Sequence, residues 1–574
     1  MKTKALYLTI ALATMLGFSS CNLNFFPDDE LNAEVLLQNA KGAKTVMNGC
    51  YALLKDEIEY QGYASGNTYV RHYFQMSEYP SDNICLSAHT TDPLYEATAY
   101  MMTDQLKNVG TLWMLAYKVI YMTNCVIEKL PETEAENKQM LGEAYFMRGL
   151  MHLHLVTLYA QPYSYGQNNA GIPLRTSASS DKTIRNSVGD VYEQIAADFR
   201  KAADLMGKSR GNAGYPCHDA ALGLLSRVYL YMGKYDECIA TVDEALNGAT
   251  PESKLEQGAA YANYFANAKD SKETLFCLGH IASDNRGQSS IGSMYLKDGI
   301  GWGEVYPSDP LMYLYERYPS DLRYNSFIVP QFVDKTATKP NMVYVTVPAA
   351  EGGEAPHIKA KFKLEDDGAG NYSFTESGTK YSIEARKING EGKEDAAGEY
   401  VEYHVKNFRG EADCLCRINK EVTLRTGYTI PMVFVNKFSY QDGDPMLSSP
   451  VFCRWAEVIL NRAEAYAHKG DAKALEDVNV IRTRAGIPTE GMFDASKMHG
   501  YDNLLDVVLD ERRMELAFEG HRHFDMCRNK KSMDRRYAGA QPFKVIDPTS
   551  EPHIIYPIPN DEWTVSHIDQ NPGY

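Results

Sequence analysis

Three carboxylates near the C-terminal end of the chain have the spacing of groups that could share a chemical task. Glu511, Glu515 and Glu519 recur every four residues, which would place them on one face of a helix. Paired carboxylates can act as the acid and base of a glycosidase, which is the enzymatic hypothesis. Because arginines can bind carboxylates through two hydrogen bonds, we instead expect structural ion pairs here. The charged residues interleaved with the three glutamates are Arg512, Arg513, Arg522 and Asp525.

Metal and cofactor chemistry finds little support in the sequence. His152 and His154 are two residues apart, as are His521 and His523, and residues at that spacing do not face each other on a helix. The one close pair of cysteines has no further ligands nearby, and no phosphate-binding glycine loop, nucleophile elbow or HExxH occurs. We therefore predict no catalytic residue, no metal centre and no cofactor. A structural Ca²⁺ stays open, because the chain is acidic although it has no EF-hand loop.

Aromatic side chains in loops are the best candidates for binding a ligand. A sugar ring has an apolar face that stacks on Trp or Tyr, while its hydroxyls bond to a few polar groups. Two loop segments combine both features, Tyr79–Tyr100 and Asp284–Tyr306. Trp302, between two glycines, is the strongest candidate, and packing of its ring under the loop is the structural alternative. The candidate ligand-binding residues are Trp302, Tyr306, Tyr295, Tyr95, Tyr100, Asn285 and Arg286.

Helical periodicity dominates the first half of the chain. Apolar residues recur on one face of each of four segments, and Pro131 and Gly207 follow the second and the fourth. The sequence therefore predicts helices that must position the loops between them. The four segments are Leu36–Lys55, Thr111–Leu130, Lys138–Tyr159 and Val188–Met206.

Two further segments each predict a pair of antiparallel helices. Residues 218–248 have a joint at Gly233, and residues 454–486 have a joint at residues 469–471. Small residues next to Tyr229, followed by Gly233 and Tyr235, resemble a tetratricopeptide repeat. With two interrupted pairs earlier in the chain, we expect about four such units, stacked so that they bury a continuous core.

Residues 255–445 differ from the rest of the chain. They are rich in Gly, Asp, Lys and Tyr, and contain short strand-like runs. We expect a loop-rich, partly β insertion that carries the ligand site on the helical scaffold. The expected strands are Met342–Pro348, Tyr400–Phe408 and Tyr428–Val435, and the proline-containing tail after residue 553 is expected to lie extended on the surface.

Length and composition describe an ordinary globular chain. It has 574 residues, of which 44% are hydrophobic and 23% charged, so disorder throughout is excluded. The formal charge of −17 argues against a nucleic-acid partner, which requires a basic surface. Forty tyrosines raise the aromatic content to 11% and suit binding surfaces as well as cores.

The N-terminal residues predict export and a lipid anchor. Two lysines precede an apolar run from Ala5 to Phe18 that is shorter than the ~20 residues of a membrane-spanning helix. Phe18-Ser19-Ser20-Cys21 resembles a bacterial lipobox, in which the cysteine becomes the lipidated first residue. An ordinary signal peptide is the alternative. We therefore expect a signal peptide at 1–20, a lipidated tether at 21–35 that is attached through Cys21, and one domain at 36–574.

The most specific motifs of the chain lie after residue 453. They are Arg454-x-Ala456-Glu457-Val458, Asn479-x-Ile481-Arg482-x-Arg484-Ala485-Gly486, Glu511-Arg512-Arg513-x-Glu515, Gly520-x-Arg522-x-Phe524-Asp525 and the terminal Gln570-Asn571-Pro572-Gly573-Tyr574. With these motifs the chain resembles the SusD/RagB family of outer-membrane nutrient-binding lipoproteins, and the agreement extends over almost its whole length.

The resemblance implies a mostly α fold, with a helical-repeat scaffold at about 36–250 and 450–530 and the ligand-binding insertion at about 255–445. It also implies a cell-surface, lipid-anchored protein without catalysis that binds an oligosaccharide and delivers it to a SusC-like TonB-dependent barrel in the outer membrane. Some family members resemble RagB and bind peptides, so a peptide receptor is the alternative. The ligand residues of the family lie in variable loops and are not transferable to this sequence.

Overall fold

A computed structural model of the chain describes residues 37, 39–87, 91–179, 183–208, 210–296, 301–330, 339–348, 357–425, 427–539 and 544–574. The predicted signal peptide and the lipidated tether with Cys21 lie outside the described residues.

Helices form most of the regular structure, which confirms the predicted fold class. The helices are α1 (Ala40–Lys55), α2 (Tyr69–Glu78), α3 (Lys107–Lys129), α4 (Lys138–Tyr159), α5 (Val188–Leu205), α6 (His218–Tyr231), α7 (Tyr235–Leu246), α8 (Pro251–Lys254), α9 (Gly258–Ala262), α10 (Asp309–Tyr315), α11 (Arg323–Ser326), α12 (Trp455–His468), α13 (Lys473–Arg484), α14 (Leu504–Leu516), α15 (Arg522–Arg528) and α16 (Asn560–Ser566).

Most strands fall between α7 and α12. They are β1 (Ile84–Leu86), β2 (Thr274–Cys277), β3 (Val305–Pro307), β4 (Ile328–Pro330), β5 (Met342–Pro348), β6 (His357–Lys363), β7 (Glu365–Asp366), β8 (Tyr372–Glu376), β9 (Thr379–Ile388), β10 (Tyr400–Phe408), β11 (Glu411–Asn419), β12 (Glu421–Thr423), β13 (Thr429–Pro431), β14 (Val433–Val435), β15 (Val451–Arg454), β16 (Met533–Asp534) and β17 (Val545–Ile546).

The ends of the helices follow the sequence where a capping residue marks them. The side chain of Ser187 accepts a hydrogen bond from the backbone N–H of Asp190 at 3.0 Å, and α5 begins where predicted. Helix α3 begins four residues before the predicted Thr111. Leu106 stands at its N-cap without a side-chain hydrogen bond, so no capping residue marks this start.

The two predicted helix pairs are present, and each has a glycine at its joint. Gly233 joins α6 to α7 with φ of +70°, and Gly470 joins α12 to α13 with φ of +68°. Both glycines adopt the left-handed conformation, which residues with a Cβ reach only at a cost in free energy. The sequence therefore located both reversals correctly.

Helices from both ends of the chain build one continuous stack. Neighbours along the chain pack against each other from α3 to α7, and α1 packs on α3. Helix α12 packs on α6 and α7, although about 200 residues separate them in sequence. The inserted region therefore leaves the stack at α7 and returns at α12 without interrupting its core.

The insertion is built around an antiparallel seven-stranded sheet. Its strand order is β6-β5-β11-β10-β9-β8-β7, and it has a hydrophobic core of its own. Two predicted strands match β5 and β10, whereas the prediction of one strand over Tyr428–Val435 is wrong. That segment forms two short strands with different partners, since β13 pairs with β12 and β14 pairs with β4.

The C-terminal tail is not an extended surface segment, so that prediction is wrong. Ile554, Ile555, Tyr556 and Ile558 are buried, and helix α16 follows them. The Tyr556 hydroxyl donates to the backbone carbonyl of Met76 at 3.0 Å. These buried residues therefore fasten the end of the chain to its N-terminal half.

The charged C-terminal block forms a buried ion-pair network with Arg454 at its centre. The Arg454 guanidinium donates to Glu515 at 2.6 Å, to Glu519 at 2.8 Å and to Glu273 at 3.0 Å. Arg484 binds Glu273 at 2.8 Å and Glu515 at 2.7 Å. The predicted structural ion pairs are thus present, and they tie β2, β15, α13 and α14 together.

The three candidate catalytic carboxylates are members of this network and are closed to solvent. Glu511 binds Arg323 at 2.7 Å and Arg482 at 2.8 Å. Burial by itself raises the pKa of Glu515, but Arg484 and Arg454 outweigh it and hold that pKa well below its usual range. A glycosidase acid needs a raised pKa, so this cluster has the wrong electrostatics for the task.

The helical face predicted for the three glutamates is wrong at one position. Helix α14 ends at Leu516, and Phe518 has a left-handed φ of +67°. Glu519 therefore lies beyond the helix and reaches Arg454 from a turn. Of the arginines in this block, Arg512 forms an ion pair with Asp525, with N–O distances of 2.8 and 3.1 Å.

We predict that Arg454→Met destabilises the protein by about 3–5 kcal/mol, because it leaves Glu515 and Glu519 buried with reduced charge compensation. The exposed pair of Arg200 and Glu244 provides the control. Arg200→Met is expected to cost less than about 1 kcal/mol. Denaturant unfolding of both variants measures the difference, and equal midpoints would contradict a structural role for the network.

Candidate ligand-binding site

The two predicted aromatic segments lie side by side in the structure. Strand β1 of the first pairs with β3 of the second, with Cys85 opposite Tyr306. The pairing continues on both sides, since the N–H of Ser87 donates to the carbonyl of Glu304 at 2.8 Å and that of Ser308 to Asn83 at 2.7 Å. Residues about 220 positions apart in sequence are thereby brought to one region.

Arginines of the C-terminal block hold this region in place. Arg522 binds both carboxylate oxygens of Asp82 at 2.8 and 3.0 Å. Arg513 donates to the side chain of Asn83 at 2.8 Å and to the carbonyl of Asp82 at 2.7 Å. Because Asp82 and Asn83 directly precede β1, these contacts fix the strand that carries the first segment.

Trp302 presents an exposed indole ring, with 56% of the residue surface accessible. Its Nε1–H donates to the carbonyl of Gln288 at 3.0 Å, and its backbone N–H donates to Ser293 at 2.7 Å. At Gly301, a Cβ atom would lie 2.7 Å from the carbonyl oxygens of Ser293 and Leu296. The glycine therefore permits a close backbone approach, and the ring is held in a fixed orientation rather than packed under its loop.

Tyr95 lies half-buried under an arginine that the sequence did not indicate. The guanidinium carbon of Arg425 is 3.5 Å from the centroid of the Tyr95 ring, which is a close cation–π contact. One face of this ring is therefore occupied. Burial raises the pKa of the neighbouring Glu96, and Arg425 partly offsets the increase.

A buried ion pair joins the two segments from behind. Arg71 donates to Asp92 at 3.0 Å and to the carbonyl of Ser289 at 3.5 Å, and Gln75 donates to the same Asp92 oxygen at 2.7 Å. Asp92 caps the short helical turn that carries Tyr95, and Ser289 follows the residue that holds Trp302. Arg71 is therefore a positioning residue for both aromatic side chains.

Asn285 and Arg286 form contacts within the protein, and both are half-buried. The Asn285 amide donates to Asp444 at 2.6 Å, and Arg286 pairs with Asp56 at the end of α1. Lys55 binds the adjacent Asp284 at 2.9 Å. These contacts fasten the start of the second segment to the helical stack.

Three predicted tyrosines are buried, so the structure gives them packing roles instead of surface platforms. Tyr295 stacks on Phe438 with a centroid distance of 5.5 Å, and burial raises its pKa well above the usual value. Tyr306 is fully buried in a cluster beneath β1 and β3. Tyr100 is also buried, and its hydroxyl donates to the carbonyl of Pro80 at 2.7 Å. Exposure cannot be read from residue type alone: Tyr306 lies within the β1–β3 pair, whereas Tyr295 and Tyr100 each follow a short helical turn that packs into the interior.

Sequence reasoning missed the polar residues that contact or position Trp302 and Tyr95, which together form the Trp302 platform. Arg71 lies inside a helix, Arg425 lies in a turn more than 300 residues from Tyr95, and Gln288 accepts the indole hydrogen bond through its backbone carbonyl. No motif marks any of them. Their roles follow from tertiary contacts alone.

The arrangement suits binding of a neutral, hydroxyl-rich ligand. Trp302 offers an apolar ring face, and the nearby charges of Arg71 and Asp92 are already paired. Within the described residues, no group of three or more His, Cys, Asp or Glu side chains could hold a metal ion. Among the same residues, no helix is both long and apolar enough to cross a membrane.

Profiles of two related families match most of the chain. The profile of the SusD family matches residues 279–574, and the profile described as starch-binding associating with outer membrane matches residues 27–230. SusD-like protein P2 of Formosa agariphila is 24% identical over 506 residues, which cover 83% of each chain. SusD-like protein P38 of the same organism is 23% identical and covers 93% of each chain.

Solved structures share the fold over nearly the full length. A SusD superfamily protein of Bacteroides thetaiotaomicron has a TM-score of 0.67 and 22% identity, and covers 92% of this chain and 99% of its own. A laminarin-binding SusD-like protein has a TM-score of 0.60 and 19% identity, and covers 94% of this chain and all of its own.

Glu78 lies next to the contacts that hold β1. Its carboxylate accepts hydrogen bonds from the Asn83 side chain at 2.9 Å and from the backbone of Gly520 at 3.2 Å. Burial raises its pKa to about 7, although these hydrogen bonds counteract part of the increase. The folded protein must therefore accommodate a buried negative charge as the pH rises.

We predict that Glu78→Gln changes the pH dependence of stability. The unfolded pKa of Glu is about 4.3, so the native free energy of unfolding should fall as pH rises from there to about 7. The glutamine of the variant cannot ionise, so the free energy of unfolding of the variant should not show this decrease, which amounts to about 1–3 kcal/mol. Unfolding between pH 4 and 8 measures it, with the exposed Glu132→Gln as the control. Parallel profiles of the Glu78 variant and the native protein would overturn the prediction.

Proposed function

The chain belongs to the SusD family, and we propose that it is a cell-surface receptor that captures an oligosaccharide and passes it to a TonB-dependent outer-membrane barrel of the SusC type. The family profiles and the shared fold support the class of protein. The ligand, the barrel and the delivery step are parts of the proposal.

The exposed indole of Trp302 is the single observation that carries the ligand class. A large apolar ring held in a fixed orientation loses little conformational entropy when a ligand stacks on it. A pyranose has an apolar face of matching size, and polar groups beside the ring can bond to its hydroxyls. A laminarin-binding relative with the same fold supports this choice.

A peptide ligand of the RagB type would require different features. Peptide sites use exposed strand edges for backbone hydrogen bonds, or pockets that capture a chain terminus. The residues of β1 and β3 are buried, so these two strands present no exposed edge to a peptide, and the charges behind Trp302 are paired. A stacked saccharide therefore fits the site better.

Binding without covalent chemistry completes the proposal. Recognition relies on stacking and hydrogen bonds, and the charged C-terminal block serves to position the binding segments. The carboxylates that could have acted in hydrolysis are buried in ion pairs.

The location at the cell surface is proposed from the N-terminal sequence. A lipidated Cys21 and its acyl chains would anchor the protein in the outer membrane, since stable anchoring needs more than one chain. The described cysteines are all free thiols, and among them Cys125 alone is not fully buried.

We predict that Trp302→Ala weakens binding of the recognised polysaccharide on the order of 30-fold, because loss of a central aromatic anchor costs about 2 kcal/mol. Calorimetry against laminarin, starch and other neutral glycans, with a peptide mixture alongside, identifies the ligand and measures the change. The matched control is Tyr121→Ala, which removes an exposed aromatic ring from helix α3.

Two results would contradict this prediction. Binding of peptides alone would favour the RagB-like receptor. Glycan binding that is equally strong in the native protein and in Trp302→Ala would place the glycan elsewhere on the molecule.

We predict that Cys21→Ser releases the protein from the membrane fraction, because the serine cannot form the thioether to the lipid. Cys125→Ser should leave the membrane association unchanged and serves as the control. Fractionation and protease accessibility on intact cells measure both variants. Retention of the Cys21 variant in the membrane would disprove anchoring through this residue.

A further inference from the structure

The seven-stranded sheet of the insertion divides along strand β9. Residues 379–383 of β9 pair with β8, whereas residues 384–388 pair with β10. Residues 405–408 of β10 pair with β11 and not with β9. The strands therefore separate at the middle of β9, and a cleft opens at the point where they part.

This cleft has a volume of about 670 Å³, which lies within the range of small-molecule sites. Two half-buried tyrosines line it, Tyr372 on β8 and Tyr403 on β10. Their rings meet edge to face with a centroid distance of 6.0 Å. Mutual packing limits the motion of both rings, so the aromatic wall is formed before any ligand arrives.

Charged side chains of β9, β10 and β11 line the cleft from the other face of the sheet, because side chains alternate along a strand and Glu384 and Arg386 flank Ala385, the partner of Tyr403. Arg386 binds Asp413 through two hydrogen bonds of 2.7 and 2.9 Å, and donates to Glu384 at 3.1 Å. Lys406 binds the other oxygen of Glu384 at 3.0 Å. Donors and acceptors thus alternate along the cleft in positions fixed by their own ion pairs.

The charge balance of the lining indicates the kind of ligand. Arg386 and Lys406 are offset by Glu384 and Asp413, and Glu394 adds one further negative charge. An acidic ligand would meet no unpaired cation here. A neutral ligand with many hydroxyls can donate to the carboxylates and accept from the guanidinium and the ammonium, and a part of it that enters the gap between β8 and β9 can contact a tyrosine ring.

We propose that the cleft between β8, β9 and β10 is a second saccharide-binding site, separate from the Trp302 platform. It shares its ligand class with the proposed function but none of its residues. Two sites on one chain bind a long polymer more tightly than either site alone, because the second contact is made at high effective concentration.

Hydrogen exchange of the complete chain, with laminarin and with starch, tests the site directly. We expect slower amide exchange in residues 379–388 and 400–413 when a polysaccharide is present. If neither polysaccharide slows exchange there, the inference is wrong, whether or not residues 284–306 respond. A response of the sheet without a response at residues 284–306 would support the second site and refute the Trp302 site.

Variants provide the second measurement. In the Trp302→Ala background, Tyr403→Ala should weaken the remaining polysaccharide binding roughly fivefold, as expected for the loss of one stacking contact. Lys406→Gln, on an exposed side chain that does not support the core, should also weaken it. Val401→Ala is the control, since this exposed residue of β10 does not line the cleft.

The outcomes separate the two ligand classes. Weaker polysaccharide binding in both cleft variants, with the control unchanged, supports a saccharide site. Unchanged binding in both variants overturns it. Slower exchange of the cleft segments with a peptide mixture alone would also overturn it, and would assign the cleft to a protein partner.

Discussion

The structure depends on buried arginines that each bind carboxylates from distant parts of the chain. Arg454 joins Glu273 from the start of the insertion to Glu515 and Glu519 from the C-terminal block. Breaking one partner would leave charge buried in a medium of low dielectric, where the cost is several kcal/mol. The insertion is therefore fastened at the place where it leaves and rejoins the helical stack. Such pairs need not add net stability, but they do specify which segments meet.

Buried arginines also connect the helices to the candidate ligand site. Arg513 and Arg522 fix Asp82 and Asn83, these residues precede β1, and β1 pairs with β3. The same pairing fixes the position of Trp302, because the loop that carries this residue leads directly into β3. A platform positioned by this succession of contacts needs little reorganisation when a ligand binds, which reduces the entropic cost of association.

The parts of this fold that were predicted correctly are those with a local cause. Helices α4 and α5 follow from periodicity and a cap, and the joints at Gly233 and Gly470 follow from the need for a left-handed residue. Tyr295 and Tyr306 were assigned to a surface because their loop looked exposed in sequence, yet Tyr295 packs on Phe438 and Tyr306 is buried in the β1–β3 pair. Arg71 and Arg425 were missed because Ser289 and Tyr95, which they contact, lie far away along the chain. The sequence thus selected two loop segments that lie side by side in the structure, but it did not show the direction in which their side chains point.

The charges at both candidate binding surfaces are paired, although the chain as a whole has a charge of −17: Arg71 and Asp92 lie buried behind Trp302, and Arg386 pairs with Asp413 in the cleft. Paired charges lack the strong long-range attraction of an unpaired ion, so each site should bind with moderate affinity. Moderate affinity suits the proposed transfer. Affinity differences between related complexes lie mainly in the dissociation rate, so a complex of moderate affinity dissociates quickly. A receptor that hands its ligand to a barrel must release it on the time scale of transport. Two weak contacts acting together would then retain a polymer, whereas the polymer would dissociate readily from either site alone.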